Sequence, residues 1–149
     1  MSIDLKDIKY SIVTDTAIFQ KALFVRGIVF CEEQNVEYSR EIDGMDISAI
    51  HFLVTYKSEP IATARLRLFP EYAKIERLAV RKNYRGMNIG KNLFQYVINY
   101  ITELNFNKIV IHAQKYLLKF YENFGFNKKG DIFLDANIEH YYMEKILNN

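Results

Sequence analysis

One cysteine, two prolines, six glycines and no tryptophan occur among the 149 residues. A lone Cys31 has no intrachain disulfide partner, so a reducing cytoplasm is the expected setting. So little proline and glycine argues against collagen-like, linker-dominated or disordered architecture. An excess of one charge is also missing: 20 basic against 18 acidic residues leave a net +2, and the basic residues form no runs. A phosphate backbone is therefore not the expected partner, and no nucleic acid is anticipated. Long apolar runs are absent too. The most continuous, Ala22 to Cys31, contains Arg26 and Gly27 and falls far short of the roughly 20 residues of a membrane span, so no membrane association is expected. The N-terminal Met1-Ser2-Ile3-Asp4-Leu5-Lys6-Asp7 lacks the positive start and apolar core of a secretory leader.

What the chain does have is 11 Tyr, 11 Phe and 50% apolar residues, enough for one sizeable core, and 1–149 reads as a single domain. Alternation at Ile8, Tyr10 and Ile12 predicts a strand over 8–13. Oxygen-bearing caps at Thr14 to Thr16 precede a helix running to about Gln34, with a possible break at Gly27. Residues 35–50 lack either period and read as a polar loop with at most one helical turn. Strand-like runs at 51–56 and 61–69, joined by a turn at Lys57 to Pro60, lead to a third strand at 72–80. Ile89, Leu93, Val97, Ile101 and Leu104 recur at steps of four and three and define a long amphipathic helix. A short buried strand at 109–111, expected to pair in parallel, precedes a short aromatic helix ending at Gly125, and strands at 126–133 and 140–146 close the chain.

The segment Lys74-Ile75-Glu76-Arg77-Leu78-Ala79-Val80, followed by Arg81-Lys82-Asn83-Tyr84-Arg85-Gly86-Met87-Asn88-Ile89-Gly90-Lys91, carries the chemistry. A strand that feeds a basic, glycine-containing turn at a helix N-terminus offers unpaired backbone N–H groups where the helix dipole is positive. Such a turn suits phosphate. Gly86 and Gly90 allow close backbone approach, Asn88 tolerates positive φ, and Arg85 and Lys91 add charge; the bland alternative is a solvated turn. Neither a Walker loop nor a dinucleotide fingerprint is present. His51, His112 and His140 each lie near a strand end, where a structural role competes with that of a base, and no metal-ligand spacing occurs, so no metal is implied. Cys31 reads as a buried thiol, and the acidic Glu37, Glu41, Asp43 and Asp46 read as a solvated loop unless they border the cleft.

Arg85-Gly86-Met87-Asn88-Ile89-Gly90 after Leu78-Ala79-Val80 resembles the acyl-CoA pyrophosphate motif of the GNAT superfamily of N-acetyltransferases. Phe120-Tyr121-Glu122-Asn123-Phe124-Gly125-Phe126 resembles its second signature. Phe30 to Gln34 and Ile138 to Met143 are similar to a group of small bacterial members of unassigned acceptor. Asn88 stands where the motif has its first Gly, and Gln114 and Leu117 stand where many members have Asn and Ala.

The resemblance implies an α/β GNAT fold: a mixed, mainly antiparallel sheet flanked by helices, with a splayed parallel strand pair forming the acyl-CoA cleft. It implies acetyl-CoA as co-substrate and an amine acceptor, with direct attack in a ternary complex. Leu78, Ala79 and Val80 would line the pantetheine. Arg85, Gly86, Met87, Asn88, Ile89, Gly90 and Lys91 would hold the pyrophosphate, and the Gln114 amide and Tyr121 would reach the arm. Leu78 N–H would face the thioester oxygen, and the Tyr121 hydroxyl would protonate the departing thiolate. Glu76 is nominated as base, because alternation places it on the face of Leu78 and Val80; an ion pair with Arg65, Arg67 or Arg77 is its competing role. The alternative function is a non-catalytic acyl-CoA sensor. A monomer and a homodimer paired through an edge strand both stay open.

Overall fold

The computed structural model describes residues 2–148. Seven strands form one sheet: β1 (Ile8–Ile12), β2 (Ile50–Tyr56), β3 (Glu59–Leu68), β4 (Ala73–Val80), β5 (Lys108–Gln114), β6 (Asn127–Asp135) and β7 (Ile138–Ile146). Their order is β1-β2-β3-β4-β5-β7-β6, and among the described residues β4 with β5 is the only parallel pair. Four α-helices accompany them: α1 (Thr16–Arg26), α2 (Tyr38–Glu41), α3 (Ile89–Glu103) and α4 (Leu118–Glu122).

The Asp15 side chain caps α1 by accepting from Ile18 N–H at 2.9 Å. Gly27 does not break the helix. It keeps helical dihedrals, φ −60° and ψ −45°, and opens a wider π-helical stretch, Gly27–Glu33, closed by Gln34 N–H donating to the Val29 carbonyl five residues back. That winding carries Val29 and Phe30 onto Ala79. The β2–β3 turn is tighter than the sequence suggests. Lys57 and Ser58 both take positive φ, a two-residue hairpin turn, and Pro60 falls within the first residues of β3.

The stripe on α3 behaves as its period requires: Ile89, Leu93, Phe94, Val97 and Ile101 are buried against Phe52, Ala64, Leu66, Ile75 and Ile111 of the sheet. Ala79 instead packs with Val25, Val29 and Phe30 on the other face. Phe94 meets the rings of Tyr121, Phe124 and Phe126 at 4.8–5.6 Å and so ties α4 to α3.

Two irregularities of β4 shape everything that follows. Parallel pairing with β5 stops at Ile75↔Ile111, while β4 runs on to Val80 and β5 to Gln114, so the strands part. Opposite β3, Thr63 pairs with Ala79 and Arg65 with Glu76, leaving Ala64 to face both Arg77 and Leu78. This is a β-bulge, with Arg77 at φ +55°.

Candidate active site

The gap between β4 and β5 opens into a cleft of about 1020 Å³. Of the twelve residues nominated for the co-substrate, all but Met87 border it; Met87 packs against the core. Glu76 borders it as well.

Backbone groups of a strand point alternately to its two edges. Arg81 N–H donates to the Ile61 carbonyl of β3, so Leu78 and Val80 turn their N–H groups to the opposite edge, into the splay. The turn beyond β4 makes a 3₁₀ turn at Lys82–Tyr84, passes Gly86 at φ +80°, and enters α3 through Asn88 at φ +61°. Asn88 thus adopts the left-handed shape open to the glycine it replaces in the motif. The first helical bond is Asn92 N–H to the Asn88 carbonyl. Among the described residues, no internal acceptor takes the backbone N–H groups of Gly86 and of Asn88 to Lys91, and no side chain caps the helix. A Cβ on Gly90 would lie 3.3 Å from Val80 Cγ2, so this glycine lets the helix start sit tightly on β4. Arg85 is already engaged: Nε donates to the Val80 carbonyl at 2.8 Å and Nη2 donates to both Glu33 oxygens at 2.9 and 3.0 Å.

Gln114 is engaged too. It exchanges hydrogen bonds with the Gln34 amide at 2.9 and 3.4 Å, a bridge from β5 to the end of the π-helical stretch. Tyr121 is 7% exposed, lines the cleft, and its hydroxyl has no hydrogen-bond partner among the described residues. Burial pushes its phenol well above the usual range, with Tyr116 adding to the shift, so the proton stays on oxygen.

Glu76 corrects the sequence reading. The bulge shifts the strand's phase by one residue, so Glu76 does not share a face with Leu78 and Val80, which contact the α3 side. It points with Lys74 to the α1 side. Its carboxylate accepts from Arg65 Nε and Nη2 at 2.8 and 2.6 Å, from Arg67 Nη1 at 3.4 Å, and pairs with Lys74 Nζ at 3.0 Å. Burial works to raise its pKa, but Arg65 and Lys74 prevail and hold it below the usual carboxylate value. The acidic loop is solvated at Glu37, as expected, but its other carboxylates are engaged. Glu41 and Asp46 are enclosed with Arg26, Asp43 pairs with Arg65 and Arg77, and Asp43 and Asp46 are both lowered. For Asp43 the hydrogen bonds from Arg65 are the leading cause; for Asp46 those from Arg26 and Arg65 overcome burial.

The histidines separate. His51 does not line the cleft; Nε2 faces the Asp46 carbonyl at 2.9 Å and Nδ1 is buried without a partner, so burial depresses its pKa and the ring is neutral. His140 borders the cleft, with Nδ1 donating to the Ile138 carbonyl at 2.7 Å. His112 is the first β5 residue beyond the last parallel pair, as Glu76 is the first of β4. The two therefore flank the point where the strands part, on one face. Burial first, then Lys74, lowers the His112 pKa. Cys31 is only partly buried; burial, with Glu41 and Glu32 beside it, raises its pKa and keeps the thiol protonated. Sequence reasoning passed over Gln34, Arg67 and Lys74 as site residues, since their roles depend on which strands adjoin.

Residues 28–147 match the acetyltransferase (GNAT) domain family. The uncharacterised protein YyaT of Bacillus subtilis strain 168 is 30% identical over 136 residues, 89% of this chain and 92% of its own. The crystal structure of ElaA from Escherichia coli superposes with a TM-score of 0.85 at 26% identity, covering 93% of this chain and 99% of that one. A GNAT family acetyltransferase of Elizabethkingia anophelis, solved with acetyl-CoA bound, shares the fold with a TM-score of 0.71 at 18% identity, over 95% of this chain and 99% of its own.

Proposed function

The chain belongs to the GNAT acetyltransferase family, and on that premise we propose that it transfers acetyl from acetyl-CoA to a primary amine by direct attack in a ternary complex. The observation that carries this reading is the set of five backbone N–H groups, of Gly86 and of Asn88 to Lys91, free of internal partners in a cleft that also holds ionisable groups. A diphosphate accepts hydrogen bonds from such N–H groups at a helix N-terminus.

Acetyl-CoA, when bound, supplies the thioester carbonyl that the amine attacks. In this reading Leu78 N–H, at the free edge of β4, donates to the carbonyl oxygen as negative charge develops there. Val80 holds the pantetheine amide, and Gln114 is available to the arm if its bridge to Gln34 opens. The Tyr121 phenol, kept protonated by burial, donates to the departing sulfur. Glu76 keeps a place at the reaction centre with a changed task. Three cations stabilise its charged form, weaken it as a base and between them occupy both carboxylate oxygens, so it acts as the fixed anion that holds Arg67 and Lys74 beside the incoming amine. His112, neutral at pH 7 because its pKa is lowered, receives the proton directly or through one water.

Titration calorimetry with acetyl-CoA, followed by measurement of free CoA release across an amine panel, tests the proposal. Micromolar binding and amine-dependent release are expected. Absence of binding at millimolar acetyl-CoA would remove it, and binding without release for any amine would point to a sensor.

A further inference from the structure

Beyond Leu78 the cleft wall is built from charged side chains whose hydrogen-bonding capacity is unevenly used. The carboxylates beside Leu78 are taken: Glu41 by Arg26 and Arg77, Asp43 by Arg65 and Arg77, and Glu76 by Arg65, Arg67 and Lys74, while Asp135 at the rim is half-exposed with one contact to Arg40. Around Arg67 and Lys74, among the described residues, no acidic group is left to attract a cationic acceptor.

The cations differ from one another. Arg65, 1% exposed, makes five hydrogen bonds to Asp43, Asp46 and Glu76, one for each of its donors. Arg67 makes a single contact at 3.4 Å to Glu76, rests on the Phe69 ring at 5.0 Å, and its side chain is 24% exposed. Lys74 likewise has one carboxylate contact, at 3.0 Å. Both line the cleft.

Arg67 and Lys74 are also register partners in the antiparallel β3–β4 ladder, so two like charges stand directly opposite each other on one face. Such pairs are unfavourable unless an anion lies between them, and Glu76 alone is shared with a third cation, Arg65. The pair retains donors and positive charge for a second anion. Lys74 sits two residues from Glu76, about 7 Å along the strand, a span that a molecule of amino-acid size covers.

We infer that the acceptor is a small amine bearing an acid group, a carboxylate or a phosphate, which Arg67 and Lys74 hold while its amine faces Glu76 and His112. This deepens the proposed acetyl transfer and rests on it. The acid group fixes the acceptor's orientation through charge-assisted hydrogen bonds, which are directional and strong at a partly buried site.

Matched acceptors test it: β-alanine against propylamine, and O-phosphoethanolamine against ethanolamine, each with saturating acetyl-CoA and CoA release as the readout. The acid-bearing member of at least one pair is expected to show kcat/KM about tenfold or more higher, the scale of a lost charged hydrogen bond. The two pairs separate carboxylate from phosphate. Arg67→Ala should bring the ratio within a pair towards one, with Arg67→Lys restoring part of it. Equal rates within both pairs, preference for the uncharged amines, or a ratio unmoved by Arg67→Ala would overturn the inference. Should acetyl-CoA bind but no acceptor turn over, calorimetry of the CoA-loaded protein with N-acetyl-β-alanine against N-propylacetamide decides: no preference for the acid also overturns it. Loss of acetyl-CoA binding itself would instead refute the underlying acetyl-transfer reading.

Discussion

In the proposed reaction, single residues at the parting of β4 and β5 carry the proton chemistry, and their environments divide the work. Glu76 and His112 occupy corresponding positions one step past the last parallel pair, yet one is surrounded by cations and the other is held neutral. Charged groups packed near His112 come from β4 (Lys74 and Glu76), β6 (Asp135) and β7 (His140). Because Lys74 and burial favour the uncharged ring, the acidic limb of kcat/KM is expected to lie below pH 6.5, roughly the value of a free imidazole. In His112→Gln that limb should disappear and the rate fall by about a hundredfold, as for loss of a general base; a pH–rate profile with the limb intact would return the role to Glu76 or water. Tyr121→Phe removes only a hydroxyl that has no internal partner, so acetyl-CoA affinity by calorimetry should hold within about twofold while turnover drops by about a hundredfold. The Phe120 to Phe126 signature was legible in the sequence because it is contiguous. The bulge that moves Glu76 to the other face was not, since a one-residue shift in a strand leaves no mark on hydropathy.

At the level of elements, the β4–α3 turn depends on backbone shapes that few residues adopt. Gly86 at φ +80° has nothing within 4 Å of an added Cβ, so Gly86→Ala meets conformational strain rather than a clash. A cost of about 1–2 kcal/mol is expected in the turn. It should appear mainly as weaker acetyl-CoA binding, about tenfold by calorimetry, because the bound state requires the strained shape and the free turn can relax. The element order of the chain was readable almost throughout, since α3 and the hairpins follow strong periods. The π-helical continuation past Gly27 was not. Its wide winding is fixed by packing of Val29 and Phe30 on Ala79 and by the Gln34–Gln114 bridge, the latter between residues 80 apart. At the sheet edge, β6 carries Lys128, Lys129 and a bulge around Gly130, features that oppose edge-to-edge pairing.

Across the whole molecule, a buried lattice of arginines and carboxylates joins α1, the 37–46 loop, β3 and β4. Removing one partner leaves the others charged and enclosed, so Arg65→Ala should destabilise the fold by about 3–5 kcal/mol in urea unfolding. The same lattice sets the response to acid. Asp43, Asp46 and Glu76 stay ionised to lower pH when folded than when unfolded, so the unfolded chain takes up protons first as the pH drops. Stability from these groups is therefore complete above the ordinary carboxylate range near pH 4 and is lost as the pH falls through and below it. His51, neutral when folded, acts in the same direction from about pH 6.5 downwards. The urea midpoint should hold between pH 7 and 8 and decline steadily from pH 6.5 to 3. Sequence alone determined the family resemblance, the strand and helix order and the shape of the turn into α3, because each is written in neighbouring residues as period, glycine placement or a contiguous motif. Tertiary structure decided which face Glu76 takes, that the acidic loop is neutralised by arginines, and that Arg67 meets Lys74 across a ladder. Those outcomes depend on register and long-range charge pairing, which arise only when distant segments of the chain are brought side by side.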